Sequence, residues 1–193
     1  MGARGEAVAD TRRRIVDAAK ALHAQQGVLP TSWDDIADRA GVSTPTAYRH
    51  FPSLGELIPA CARSVFDIIE PPGLEEAALQ FPSDGSSADR LEHLVRASCV
   101  CYAKGRGWLH AAHRERDFVP ELDAAVRVLD ESLQVLVAAA AQRELSRAQL
   151  ALLVALCDFP FWWSLTAAGL TDTEAEEQIV RLVRSLSDER STP

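Results

Sequence analysis

The sequence TSWDDIADRAGVSTPTAYRHF, residues 31–51, decides the fold of this chain. Ser32 stands three residues before an acidic side chain, a spacing typical of an N-terminal capping box, so a helix is predicted to begin there. Gly41 follows the last apolar residue of that helix and is expected to end it with a positive φ. Ser43 is the predicted N-cap of a second helix, with Pro45 in its first turn, where a missing N–H costs little.

Two helices joined by so short a turn form a helix-turn-helix, whose second helix is suited to the major groove of DNA. Its exposed face is predicted to carry hydrogen-bonding side chains and one firm cation, which can hold phosphates and reach base edges. The start of the first helix offers free N–H groups to another phosphate. The alternative is that these helices merely pack as a small bundle. The candidate DNA-binding residues are Ser32, Ser43, Thr44, Pro45, Thr46, Tyr48, Arg49 and His50.

Helical periodicity continues through the rest of the chain, and no strand pattern interrupts it, so the predicted fold class is all-α. Leu54 opens a longer helical pattern that contains Pro59. The other predicted helices cover residues 10–27, 89–104, 107–116 and 120–143, and two more begin near Ser146 and Asp172.

A resemblance to the TetR family of transcriptional regulators rests on the string Ile36-Ala37, Ala40-Gly41-Val42-Ser43 and Tyr48-Arg49-His50-Phe51-Pro52-Ser53. The family implies a homodimer, an N-terminal helix-turn-helix domain that reads an operator, and a divergent helical C-terminal domain for ligand binding and dimerisation. On this pattern the DNA-binding domain covers residues 1–53, helix four (54–70) connects, and residues 71–193 form the second domain.

The resemblance also implies a mechanism. A dimer with two reading heads demands a palindromic double-stranded operator. We expect a repressor that leaves this operator when a small apolar or aromatic effector fills the C-terminal domain. Two departures from the family pattern concern helix four. Leu54 stands where the family usually has a lysine, so one phosphate contact is missing, and Gly55 and Pro59 loosen the helix.

The C-terminal half contains most of the aromatic residues, which with nearby histidines suit a largely apolar effector pocket. The alternative is that these side chains are core and dimer contacts. The candidate effector-binding residues are Tyr102, Trp108, His110, His113, Phe118, Phe159 and Trp162. The two histidines, with Glu115 and Asp117, could instead hold a metal, but we expect a polar surface patch there and predict no metal or cofactor.

Residues 150–170 form a long apolar run with a single charge, Asp158, which raises the alternative of a membrane-associated helical protein. The charge and Pro160 near the middle of the run argue against a membrane span. We expect instead that the last two helices form a four-helix bundle across a two-fold axis and bury this run in a homodimer.

Composition excludes further classes. A hydrophobic fraction of 47% excludes a disordered chain. The polar N-terminus predicts no secretory signal, so the four cysteines are expected to be reduced thiols and the protein cytoplasmic. No nucleophile–base arrangement is recognisable, so an enzyme is not expected; a helical ligand-binding or enzymatic protein without DNA binding stays the alternative.

The net charge of −8 argues at first against a nucleic-acid partner, but the charge is unevenly placed. Residues 1–63 hold 8 Lys and Arg against 7 Asp and Glu, a net charge of +1. The remaining residues hold 12 against 21, a net charge of −9. The acidity therefore belongs to the predicted effector and dimer domain.

Overall fold

A computed structural model describes residues 3–69, 81 and 85–188. These residues form nine helices and no strand, which confirms the predicted all-α class. The predicted domain boundary at residue 71 lies outside the described residues. The helices are α1 (Ala3–Gln26), α2 (Trp33–Ala40), α3 (Thr44–His50), α4 (Leu54–Ile69), α5 (Ser87–Glu115), α6 (Pro120–Ala141), α7 (Arg147–Cys157), α8 (Phe159–Ala167) and α9 (Asp172–Asp188).

The chain divides into two compact units. Unit 1 comprises residues 1–68 and 105–126, and unit 2 comprises residues 69–104 and 127–193. The sequence-based division at residues 53 and 70 stays a prediction. Unit 1 includes the end of α5 and the start of α6, which were predicted to belong to the C-terminal domain.

The core of unit 1 lies between α1 and the three helices that follow it. Full burial of one large aliphatic or aromatic side chain contributes about 1.5–3 kcal/mol, so this cluster holds the helix-turn-helix together. Its buried members are Ile15, Val16, Ala18, Ala19, Ile36, Ala37, Ala40, Ala47, Phe51, Leu57 and Cys61.

Helix α1 begins at Ala3, so the predicted start of this helix at residue 10 is wrong. Asp10 lies within the helix, where its carboxylate pairs with Arg13 and Arg14 at the i+3 and i+4 positions. Such pairs join neighbours on a helix surface and favour its continuation.

Helix α5 is continuous from Ser87 to Glu115, so the prediction of two helices separated at residues 105–106 is wrong. The reason is a tertiary contact of Gly107. A Cβ atom added there would lie 2.8 Å from Cβ and 2.9 Å from the carbonyl oxygen of Ala24 on α1. Glycine at this position therefore allows close helix packing and does not begin a new helix.

The apolar run 150–170 is two helices, α7 and α8, and not the single helix predicted to begin near Ser146. Ser146 does cap α7, through a capping box with Gln149. Asp158 ends α7 and caps α8, because its carboxylate accepts the N–H of Phe159 at 2.7 Å. Among the described residues no single helix has the length and apolarity to cross a membrane, although α7 and α8, bent by 47°, pass that test together.

Candidate nucleic-acid interface

Helix α2 is capped at both ends as predicted. The Ser32 hydroxyl accepts the N–H of Asp35 at 3.1 Å, and the Asp35 carboxylate accepts the Ser32 N–H at 3.0 Å. Both groups of Ser32 are therefore engaged within the helix start, and a phosphate at this end would meet the neighbouring amides. Gly41 ends the helix with φ 65° and donates its N–H to Asp38 O at 3.1 Å.

Helix α3 also begins as predicted, with Ser43 at the N-cap position and Pro45 in the first turn. The Ser43 side chain, however, makes no capping hydrogen bond. Its hydroxyl lies 2.9 Å from the hydroxyl of Thr46, which in turn accepts a long bond of 3.4 Å from Arg49. These three side chains form a connected polar row from the N-cap to the last turn of α3.

Thr44 is linked to α2. Its hydroxyl donates to Oδ1 of Asp34 at 2.7 Å. Because the Thr44 hydroxyl donates its one proton to a carboxylate, its oxygen can only accept a further hydrogen bond. Phosphate oxygens have no proton to donate to it. In this arrangement Thr44 is better suited to a base amino group than to a phosphate.

Tyr48 packs against α2 and is exposed on its other side. Its ring lies 4.7 Å from the ring of Trp33, centroid to centroid, at an angle of 34°. This contact fixes the direction of an exposed side chain on the second helix of the motif. Arg49, the next residue, is also exposed.

Arg12 of α1 stabilises the end of α3. Its guanidinium donates to the carbonyl oxygen of His50 at 2.7 Å and lies 3.9 Å from the ring centroid of Phe51. Partial burial lowers the pKa of His50, and the positive charges of Arg49 and Arg12 lower it further. His50 is therefore a neutral ring at pH 7, which offers one donor and one acceptor and adds no charge to the surface.

The candidate effector-binding residues fall into two groups. Three of them pack together in unit 2: Tyr102 lies 5.6 Å from Phe159 and 5.9 Å from Trp162, and the latter two are 5.8 Å apart. The Tyr102 hydroxyl donates to the carbonyl oxygen of Cys157 at 2.7 Å. The other four belong to unit 1, where Trp108 is buried and Phe118 is 72% exposed; the remaining two are His110 and His113.

No group of three His, Cys, Asp or Glu side chains within the described residues could hold a metal ion. Glu115, considered beside the two histidines, is buried and hydrogen-bonded to the backbone of the α1–α2 turn. All four cysteines are free thiols. Burial raises the pKa of Cys61, Cys99 and Cys157 to about 12, so these three thiols are not reactive at neutral pH.

Three side chains around the helix-turn-helix were not predicted: Arg12, Asp34 and Glu115. Each acts on residues distant in sequence, so no local pattern marks them. Arg12 does belong to a run of three arginines in α1, a pattern typical of a basic patch that does not identify a partner.

The capped helices, the tight turn at Gly41 and the exposed side chains of α3 define a helix-turn-helix DNA-binding protein. Residues 15–61 match the family model described as bacterial regulatory proteins, tetR family. This part of the chain is therefore a TetR-family DNA-binding domain, which makes the protein a DNA-binding transcriptional regulator. Regulators of this family bind DNA operators and act as dimers with small-molecule effectors.

Solved structures share the fold over more than nine tenths of the chain. A TetR/AcrR-family regulator from Thermobifida fusca is 28% identical, with a TM-score of 0.60 over 94% of this chain and 100% of that one. The multidrug binding protein EbrR, solved with imidazole, is 21% identical, with a TM-score of 0.64 over 91% and 88%. A TetR-like regulator from a Rhodococcus species is 19% identical, with a TM-score of 0.65 over 93% and 97%. No curated protein matches the chain in sequence.

Proposed function

We propose that this protein is a dimeric repressor that binds a palindromic operator through α3 and leaves it when a small apolar or aromatic effector binds unit 2. The observation that carries the DNA contact is the exposed pair Tyr48 and Arg49 on a helix held in place by Trp33 and Arg12. A side chain fixed in this way loses little freedom when it binds. The other members of the proposed interface are Ser32, Ser43, Thr44, Pro45, Thr46 and His50.

Within this interface the side chains have different tasks. Arg49 is the exposed cation of α3 and is suited to a phosphate or to the O6 and N7 atoms of guanine. The Tyr48 hydroxyl can donate to a phosphate oxygen. Ser43 and Thr46 supply hydroxyls, and Thr44 supplies lone pairs to an amino group of a base.

Replacing Tyr48 or Arg49 with alanine is expected to weaken operator binding by about tenfold to a hundredfold, since each such contact is worth about 1–3 kcal/mol. The measurement is a gel-shift titration at fixed salt, on a duplex that the wild-type protein selects from a randomised library. Arg63→Ala is the control, because it removes an exposed cation of α4 that lies outside the proposed interface. Equal affinity for Arg49→Ala, Tyr48→Ala and wild type would remove α3 from the interface.

The proposed effector site is the aromatic cluster of Tyr102, Phe159 and Trp162. All three rings belong to unit 2, and Trp162 is fully buried. Edge-on and tilted rings of this kind favour an aromatic or apolar ligand. EbrR, which shares the fold, was solved with imidazole, a small aromatic ring. The coupling requires that the effector stabilise a conformation in which the two reading heads are wrongly spaced.

A displacement screen tests the effector. Small aromatic compounds are added to the protein–operator complex, and release of labelled duplex is recorded. For an active compound, Tyr102→Phe is expected to change the half-maximal concentration several-fold while operator affinity without compound stays within about twofold, because only the hydroxyl is removed. If no aromatic or apolar compound releases the duplex, the proposed effector class is wrong.

The remaining parts of the proposal concern assembly and location. The helices α8 and α9 are the proposed dimer contact, and the cytoplasm is the proposed location. TetR-family regulators are typically transcription factors and not enzymes, and we assign no catalytic role to this chain.

A further inference from the structure

The turn between α1 and α2 is held by a side chain from the end of α5. Glu115, only 4% exposed, accepts the N–H of Val28 at 2.7 Å and the N–H of Leu29 at 2.9 Å through the same carboxylate oxygen. Its other oxygen pairs with Arg114, which also donates to the carbonyl oxygen of Gln26 at 3.3 Å. All these residues belong to unit 1.

Two glycines allow α5 to approach α1 this closely. Gly27 has φ 98°, and a Cβ atom there would overlap the carboxylate of Glu115. Two turns earlier on α5, Gly107 lies against the backbone of Ala24, which leaves no room for a side chain. The end of α5 is therefore fixed to the end of α1 at two points, one by packing and one by hydrogen bonds.

The fixed turn leads directly into the helix-turn-helix. Thr31 donates its N–H to Val28 O at 3.1 Å and its hydroxyl to Gly27 O at 2.6 Å. The next residue, Ser32, is the N-cap of α2. Because the turn is internally bonded from residue 27 to residue 31, the start of α2 is fixed relative to the carboxylate that holds the turn.

We infer that Glu115 is a positioning residue for operator recognition, which sets the orientation of the helix-turn-helix on α5 and thereby the half-site spacing that the dimer accepts. This inference rests on the proposed function. Glu115 touches no base or phosphate; it acts through Val28 and Leu29 on α2. A dimer reads two half-sites at a fixed separation, so a head that is free to tilt tolerates other separations.

Hydrogen bonds stabilise the ionised form of Glu115 at this buried position. Burial raises the pKa of its carboxyl, but the hydrogen bonds from Arg114, Leu29 and Val28 together outweigh burial and lower the pKa below its usual value. The carboxylate is thus ionised at neutral pH and accepts bonds from two amides. A glutamine keeps an acceptor oxygen in the same place, whereas alanine leaves both amides without it.

The test compares Glu115→Ala, Glu115→Asp and Glu115→Gln on the selected duplex and on duplexes with one base pair inserted or removed between the half-sites. One base pair rotates a half-site by about 35°. Glu115→Ala and Glu115→Asp, whose side chain is shorter, are expected to bind the selected duplex roughly tenfold more weakly than wild type, a loss of about 1.4 kcal/mol. On the altered duplexes their affinity should fall less far below that of wild type. Glutamine is expected to stay within about twofold of wild type.

Glu92→Ala is the matched control, since Glu92 is a carboxylate on the same helix that pairs with Arg96 and Arg184 in unit 2. This variant should keep the wild-type ratio of affinities for the selected duplex and the duplexes with altered spacing. Circular dichroism tests whether each variant is folded. If Glu115→Ala does not fold, the comparison is made with Glu115→Asp. Equal losses at every spacing, or no loss, would overturn the inference, whereas a wild-type protein that selects no duplex would overturn the proposed function itself.

Discussion

Leu182→Glu is expected to yield a monomer and to lower operator affinity by about 10²–10⁴-fold, because two linked heads gain that much from effective concentration. Leu182 lies on α9 and is 41% exposed in the single chain. The adjacent α8 has no charged residue, and its Phe161 and Leu165 are partly exposed. A two-fold axis through this surface would bring two glutamates into one apolar interface, where like charges cost several kcal/mol.

The measurement is the mass of the protein by light scattering, followed by the operator titration. Val135→Glu is the matched control, because Val135 is equally exposed, at 41%, but lies on α6 outside the proposed dimer contact. This control should stay dimeric. A dimeric Leu182→Glu protein with wild-type affinity would place the dimer contact on another surface.

The helix-turn-helix could be predicted closely because its signals are local. Ser32, Gly41, Ser43 and Pro45 each act within one helical turn, and all four occupy the predicted cap or first-turn positions. The use of the Ser43 hydroxyl could not be predicted in the same way. This hydroxyl bonds to the hydroxyl of Thr46 and not to a backbone amide. Both partners lie within one helical turn, so the sequence spacing does not distinguish between them.

The errors arise where a residue serves a distant contact. Gly107 was predicted to begin a new helix, but it lies within α5, where it allows the helix to pack closely against Ala24. Asp158 reads as one charge in an apolar helix, but it caps α8. The bond from Val28 to Glu115 joins residues 87 positions apart, so no periodicity could indicate it. For the same reason the candidate effector residues, chosen by residue type, fall in two units.

His23 is expected to make the protein less stable in mild acid. Its ring is 1% exposed, and neither ring nitrogen has a hydrogen-bond partner among the described residues. Burial lowers its pKa from 6.5 to about 4, although the negative charge of Glu115 opposes the shift. Between these pH values the unfolded chain binds the proton and the folded chain does not, so the free energy of unfolding falls as pH drops. The part of the free energy of unfolding that depends on the neutral His23 ring is complete above pH 6.5 and is lost as pH falls toward 4.

His23→Leu removes this titration and keeps an apolar side chain of similar size in the core. Urea unfolding at a fixed protein concentration should show that wild type loses about 2 kcal/mol more than the variant between pH 7.5 and pH 5. At pH 7.5 the variant should be at least as stable as wild type, since a buried ring without hydrogen bonds is replaced by an apolar group. His93→Leu, at an exposed histidine of α5, should retain the wild-type pH dependence. An equal loss in wild type and His23→Leu would mean that other groups carry the acid sensitivity, and that the buried ring accepts its proton in the folded protein as readily as in the unfolded chain.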